Sequence, residues 1–366
     1  MKSLKKHLFL LTIILLFFIL INQGWSEERV ESYTGVLLGF RNDSEDTSSY
    51  RTLWITNESG KIKVNRRAGI LVPDGEDFWL IREKWYEKET YSTLGNTKIR
   101  IEYLLAHPLA EPLSLNEKFR NYLNSVEEDW AQVHESTKLM FVGARYACIK
   151  QENSYDSGAL RREESAVFVR EIPDLNRSFI YNDHNDSFDG KKNVSIEKLF
   201  GSSATVYIKD YRAMKISETE EELFGKSPTV ANLTDEYGWG VTRKSNRWQP
   251  QIAKKWFFEN GAAQFYTYQL YDLPMDVPKN LVRYPEAGNS LRELKKIVPN
   301  AMDAVVSPNQ DLWIAFTSGK ALIFPGKDSK DPVQVRVSSK ESLIMCEWAL
   351  GEDVSRWDEK LSESLK

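Results

Sequence analysis

The sequence predicts a β-rich α+β fold, antiparallel sheets with peripheral helices, and three observations carry that reading. Runs of β-branched and aromatic residues recur along the chain, each bounded by polar turns containing glycine, asparagine or proline. A hairpin signal, Asn260-Gly261, sits between two such runs in IAKKWFFENGAAQFYTYQLYD. Where the apolar spacing turns helical, Ser-x-x-Glu capping boxes mark the change.

In chain order, the first element is a leader rather than part of the fold. Lys2, Lys5 and Lys6 precede an apolar run, Leu8 to Ile21, broken only by Thr12, and Gly24 and Ser26 are small residues suited to cleavage after Ser26. Residues 1–26 therefore read as a secretory signal peptide. An uncleaved anchor is the competing reading, but fourteen residues rise only about 21 Å as a helix, short of the ~30 Å hydrocarbon core. No cysteine follows the run, so no lipid attachment site is expected, and no second run of spanning length occurs.

Residues 27–112 read as a β-rich region. RTLWITNESGKIKVNR has two β-prone runs around a polar, glycine-containing turn, and DFWLIREKWYE adds an apolar-aromatic strand. Segment 113–137 is expected to hold a helix at about 115–134. Ser114 and Glu117 form its capping box, and Leu115, Phe119, Leu123, Val126, Trp130 and Val133 follow at helical spacing.

From 138 to 366 strand signals return in KLMFVGARYACIKQE, SAVFVREI and ATVYIKDYRAMKI. A two-residue turn at Asn260-Gly261 would set Trp256 opposite Phe265 and Phe258 opposite Ala263. Short helices are expected at about 217–224, closed by Gly225, and at 290–298. A terminal helix at 353–365 would align Val354, Trp357, Leu361 and Leu365 on one face. These regions are also compatible with one domain over 27–366.

One internal echo stands out. LWITNESGKIKV, within 53–64, and LWIAFTSGKALI, within 303–326, share Leu-Trp-Ile, a polar turn and Ser-Gly-Lys. The segment DAVVSPNQDLWIAFTSGKALIF resembles the inner strands of a blade from β-propeller-like secreted proteins. That resemblance implies propeller-like packing as one version of the fold, although no sustained repeat period runs through the chain.

The composition narrows the chemistry. The formal charge of −4 becomes −7 once Lys2, Lys5 and Lys6 leave with the leader, which argues against nucleic-acid binding. Cys148 and Cys346 are too few for a disulfide scaffold; they form either one disulfide or two buried thiols. His107, His134 and His184 are scattered, and His134 is expected at the end of the 115–134 helix. No Gly-x-Ser-x-Gly or Gly-x-Gly-x-x-Gly occurs. Gly225-Lys226-Ser227 lacks the upstream glycine of a phosphate loop, because Glu220 stands there. Ser195 and Lys198 satisfy Ser-x-x-Lys without a Lys-Thr-Gly companion, so a helix-capping serine beside an exposed lysine is the better reading.

Aromatic residues are the positive signal: eleven Trp, sixteen Tyr and seventeen Phe. The densest stretch interleaves Trp239, Trp248 and Trp256 with Arg243, Lys244, Arg247, Lys254 and Lys255, and could hold an anionic wall polymer, lipid headgroups or an acidic partner. A strand pair with aromatics inward and lysines outward explains it better. YNDHNDSFDGKKNVSIE offers Asp183, Asn185, Ser187 and Asp189 as calcium donors, but an EF-hand count from Asn185 puts Ile196 at position twelve, where a glutamate is needed. The sequence favours a solvated turn there, and no cofactor is expected.

The reading is thus an exported protein of the bacterial cell envelope or extracellular space, a binding or interaction module for an unidentified envelope polymer or protein. The alternative is an extracytoplasmic hydrolase acting on wall glycan through a carboxylate pair the sequence does not single out. On a eukaryotic secretory route, Asn42, Asn57, Asn176, Asn185, Asn193 and Asn232 would be glycosylation candidates.

Overall fold

Strand β1 (Tyr33–Asp43) is buried along most of its length. Val36, Leu38 and Phe40 enter one apolar cluster and Leu37 enters another, so both faces are covered and the usual alternation becomes a continuous apolar run. The computed structural model describes residues 33–44, 47–92, 95–111, 132–177, 193–213, 238–260, 263–285 and 289–363. β1 lies between β2 (Ser48–Glu58) and β17 (Glu341–Leu350), and β3 (Lys61–Ala68) forms the edge of this antiparallel sheet. The β2–β3 turn places Ser59 and Gly60 at φ 49° and 90°, the two positive values a type I′ hairpin requires. At Gly35 a Cβ would lie 2.2 Å from the Trp54 ring, so glycine lets that indole lie against the β1 backbone.

The second sheet has nine strands. Its centre is a meander of β7 (Gln132–Val142), β8 (Tyr146–Asp156) and β9 (Arg161–Glu171). On one side lie β6 (Gly95–Pro108), β5 (Asp77–Ser92) and β4 (Ile70–Asp74). On the other lie β12 (Ala263–Asp272), β11 (Arg247–Asn260) and β10 (Trp239–Lys244). Among the described residues, only the contacts of β6 with β7 and of β12 with β9 are parallel. Each pairs the start of one strand with the start of the next, which brings the β5–β6 and β11–β12 tips to the same end as the β8–β9 turn.

A third sheet is a four-stranded meander of β13 (Asp303–Val306), β14 (Trp313–Phe316), β15 (Lys320–Phe324) and β16 (Val333–Arg336). Its Ser-Pro turn is held by the Ser307 hydroxyl, which accepts from the Asp311 and Leu312 N–H groups and donates to the Asp311 carboxylate. Asp311 in turn accepts from Thr34 of β1. This meander matches the strand order of one blade, but none of the described sheets is closed or propeller-like. The echo at 53–64 belongs to a sheet completed by the far C-terminal strand β17, so the two similar hairpins do not repeat as blades.

Four α-helices are described, α1 (Ile196–Phe200), α2 (Ser203–Ala213), α3 (Ser290–Lys295) and α4 (Glu352–Glu363), besides a 3-10 helix at Ile172–Arg177. α3 and α4 occupy the segments expected at 290–298 and 353–365, and Val354, Trp357 and Leu361 form the buried face of α4. α2 corrects the strand expected over ATVYIKDYRAMKI. Ala204 and Ile208, four residues apart, both enter the main core, and this helical contact outweighs the β propensity of Thr-Val-Tyr-Ile. Of the helix expected at 115–134, residues up to 131 lie outside the described residues, while Gln132, Val133 and His134 open β7. The 217–224 helix also lies outside them. The β11–β12 hairpin pairs Phe258 with Phe265 and Trp256 with Thr267, two residues out of the expected register. That even shift preserves the faces of both strands.

The strands of the 27–112 and 138–366 regions share sheets, and Tyr33–Lys366 forms one compact unit. One core lies among all three sheets, and a second joins the first sheet to β4–β9 and α4. No described helix is long and apolar enough to cross a membrane.

Candidate functional site

The basic aromatic stretch is a joint between sheets. A turn at Ser245-Asn246, with φ 48° and 68°, folds β10 onto β11, with Trp239 and Trp248 inward as expected but Lys254 buried rather than outward. Trp239 is buried, donates from Nε1 to the Val194 carbonyl at 2.7 Å and meets the Phe200 ring edge-on. Trp248 packs edge-on against Phe141 and lies under the Arg243 guanidinium at 4.9 Å. Arg243 is spent on Asp303 of β13 and the Ala304 carbonyl. Lys244 faces solvent and pairs with Asp272 at 2.6 Å, and Arg247 is exposed. Trp256 lies on β11. As folded, Trp239, Trp248 and Arg243 offer no open stacking surface, because their rings and charge are used to seal the contact between sheets.

Asp183, Asn185, Ser187 and Asp189 lie outside the described residues. Among the described residues no group of three or more His, Cys, Asp or Glu side chains is placed to hold a metal ion. Cys148 and Cys346 are separate, buried thiols on β8 and β17, not a disulfide. Ser195 caps α1 by accepting from the Lys198 N–H, and the Lys198 ammonium pairs with Glu171 at 3.1 Å.

The exposed chemistry lies elsewhere, on the β5–β6 hairpin. Strand alternation puts Glu83, Trp85, Glu87, Glu89 and Tyr91 on one face. Trp85 is 65% exposed and Tyr91 75% exposed. Opposite them on β6 stand Glu102, Arg100, Lys98 and Asn96, against Trp85, Glu87, Glu89 and Tyr91 respectively. The row continues onto β7, where His134 lies beside Arg100. Partial burial and the Arg100 charge hold His134 below the usual imidazole range.

At the inner end of this face two carboxylates flank Trp85. Glu102 is buried and accepts from the Ser48 N–H at 2.8 Å and the Ser136 hydroxyl at 3.1 Å. Burial, with the Glu102 charge adding to it, pushes the half-buried Glu83 carboxyl above its ordinary value. At the outer end, hydrogen bonds from Asn96 and Tyr91 hold Glu89 below its ordinary value.

The available signal was the phase of DFWLIREKWYEKETYS, in which Trp85 and Tyr91 share a phase with Glu87 and Glu89. Alternation alone cannot say which phase faces solvent. No family model matches the chain, and no curated protein matches it by sequence.

Proposed function

We propose that this protein is an exported binding module of the cell envelope or extracellular space that engages an extended partner, a polymer or protein, along the open face of β5–β6. The observation that carries this reading is the pair Trp85 and Tyr91, both strongly exposed on one strand face. Six residues separate them, about 20 Å along a strand, which suits a chain-like ligand better than a compact one. Large aromatics held out in water are anchors by their physics: each buries a wide apolar surface when a sugar ring or apolar segment covers it. Interleaved charges keep the free surface soluble.

The test is co-sedimentation of the mature protein with purified envelope polymers. Replacing both Trp85 and Tyr91 by alanine is expected to weaken binding at least ~10-fold, with unchanged circular dichroism. Equal binding by the variant would remove this face from the account. Intact mass of the exported protein should start near Glu27; a full-length chain held in the membrane would make the leader an anchor.

A second reading, hydrolysis of wall glycan, has one observation in its favour: Glu83 and Glu102 share the Trp85 face and sit in unlike environments. On that reading Glu83 is the proton donor, and Glu83→Gln abolishes release of reducing ends while leaving polymer binding intact. Binding without any release of reducing ends would leave the module reading alone.

A further inference from the structure

Where β1, β10 and the third sheet converge, a half-open pocket of about 370 Å³ remains. Its size falls at the lower end of small-molecule sites. Its apolar lining is mostly closed off: Phe40 and Phe316 meet edge-on at 6.0 Å between centroids and are almost fully buried, and only Met302, 67% exposed, is an open apolar side chain.

Each charge on the wall is already answered from within the chain. Arg41 donates to Asp43 at 3.0 Å and to the Leu139 carbonyl at 2.6 Å. Arg243 is held by Asp303 and the Ala304 carbonyl, and Glu341 by Arg51 and the Ser338 N–H. An ionic ligand would have to break one of these pairs before gaining a contact.

The remaining polar groups are hydroxyls. Ser318, Ser339 and Ser342 line the pocket, and none of the three makes a side-chain hydrogen bond among the described residues. A hydroxyl both donates and accepts, so it complements other hydroxyls without demanding charge. A lining whose charges are paired internally and whose free polar groups are hydroxyls suits a neutral, hydroxyl-rich molecule better than an ion.

We propose that this pocket binds a small neutral saccharide of one or two rings. It is a separate site from the β5–β6 face and does not depend on that reading. The experiment titrates the mature protein with glucose, N-acetylglucosamine and their disaccharides, with glucuronate and glucosamine as charged counterparts. Binding is read by calorimetry and by the rise in melting temperature that follows from ligation of the folded state.

A neutral sugar is expected to bind at least ~10-fold more tightly than its charged counterpart, and Ser339→Ala with Ser342→Ala to weaken it about 10-fold, the scale of one or two hydrogen bonds. Met302→Trp, which adds bulk to the lining, should also weaken it. Trp85→Ala with Tyr91→Ala should leave it unchanged, so the two proposals can fail separately. No response to any neutral sugar, equal binding by the pocket variants, or preference for a charged sugar would each overturn the proposal.

Discussion

Arg243 and Asp303 form an ion pair that ties the edge strand of the nine-stranded sheet to the first strand of the small meander. The Arg243 side chain is 7% exposed and its Nη2 lies 3.0 Å from the Asp303 carboxylate. A guanidinium so enclosed cannot regain water if its partner is removed. Asp303→Ala is therefore expected to cost ~2–3 kcal/mol in urea denaturation, the scale of charged hydrogen bonds lost at a buried donor. Removing both partners, with Arg243→Met and Asp303→Leu, should cost less than Asp303→Ala alone. A larger loss in the double variant would mean the pair stabilises the fold outright.

Glu347 supplies a pH dependence. It is buried on β17, and burial pushes its carboxyl from 4.5 up to about 8, with Arg283 and the Ala144 N–H only partly offsetting the effect. The folded state holds this proton more tightly than the unfolded chain, so stability is full below about pH 4.5 and falls as pH rises towards 8. The contribution lost across that window is roughly 5 kcal/mol. Glu347→Gln should flatten this part of the stability–pH curve and raise stability at pH 8. An unchanged slope in the variant would assign the dependence to another group.

Helix α4 depends on one side chain. Trp357 meets Trp54 at 5.7 Å and Phe78 at 5.5 Å between ring centroids, and Asp358 accepts from the Trp54 indole at 2.8 Å. Trp357→Ala should cost ~3–5 kcal/mol, the usual range for emptying a buried aromatic site. Amide exchange should then accelerate first in Glu352–Glu363, where Val354 and Leu361 remain as apolar contacts. Uniform acceleration across all sheets would show that the helix does not loosen independently.

The thiols should be silent. Burial pushes Cys148 up to about 12, leaving almost no thiolate at neutral pH, and Cys346 is buried as well. A thiol reagent is expected to modify neither residue in the native protein and both in denaturant. A native mass lower by two hydrogens would instead report a disulfide.

Much of the fold was legible because local patterns and tertiary contacts agree. The β2–β3 turn, the Ser195 cap and the face of α4 follow from a few neighbouring residues, and the structure contains each as expected. α2 departs from the strand its Thr-Val-Tyr-Ile run suggests because β propensity is weak there, and the helix gains burial at Ala204 and Ile208 from distant parts of the chain. The β11–β12 register slipped by two because an even shift leaves both faces intact, so hydrophobic alternation does not distinguish the alternatives.

The sequence by itself determined that this chain is β-rich, where several of its hairpins and helices lie, and that aromatics and cations are interleaved between Trp239 and Trp256. Only the tertiary structure decided that Trp239 and Trp248 face inward while Trp85 and Tyr91 face out, and that Cys148 and Cys346 stand apart. The physical reason is that period, capping and turn chemistry are set by neighbours a few residues apart. Burial is set by which sheet covers which face, and here that depends on pairings such as β1 with β17, some three hundred residues apart in the chain.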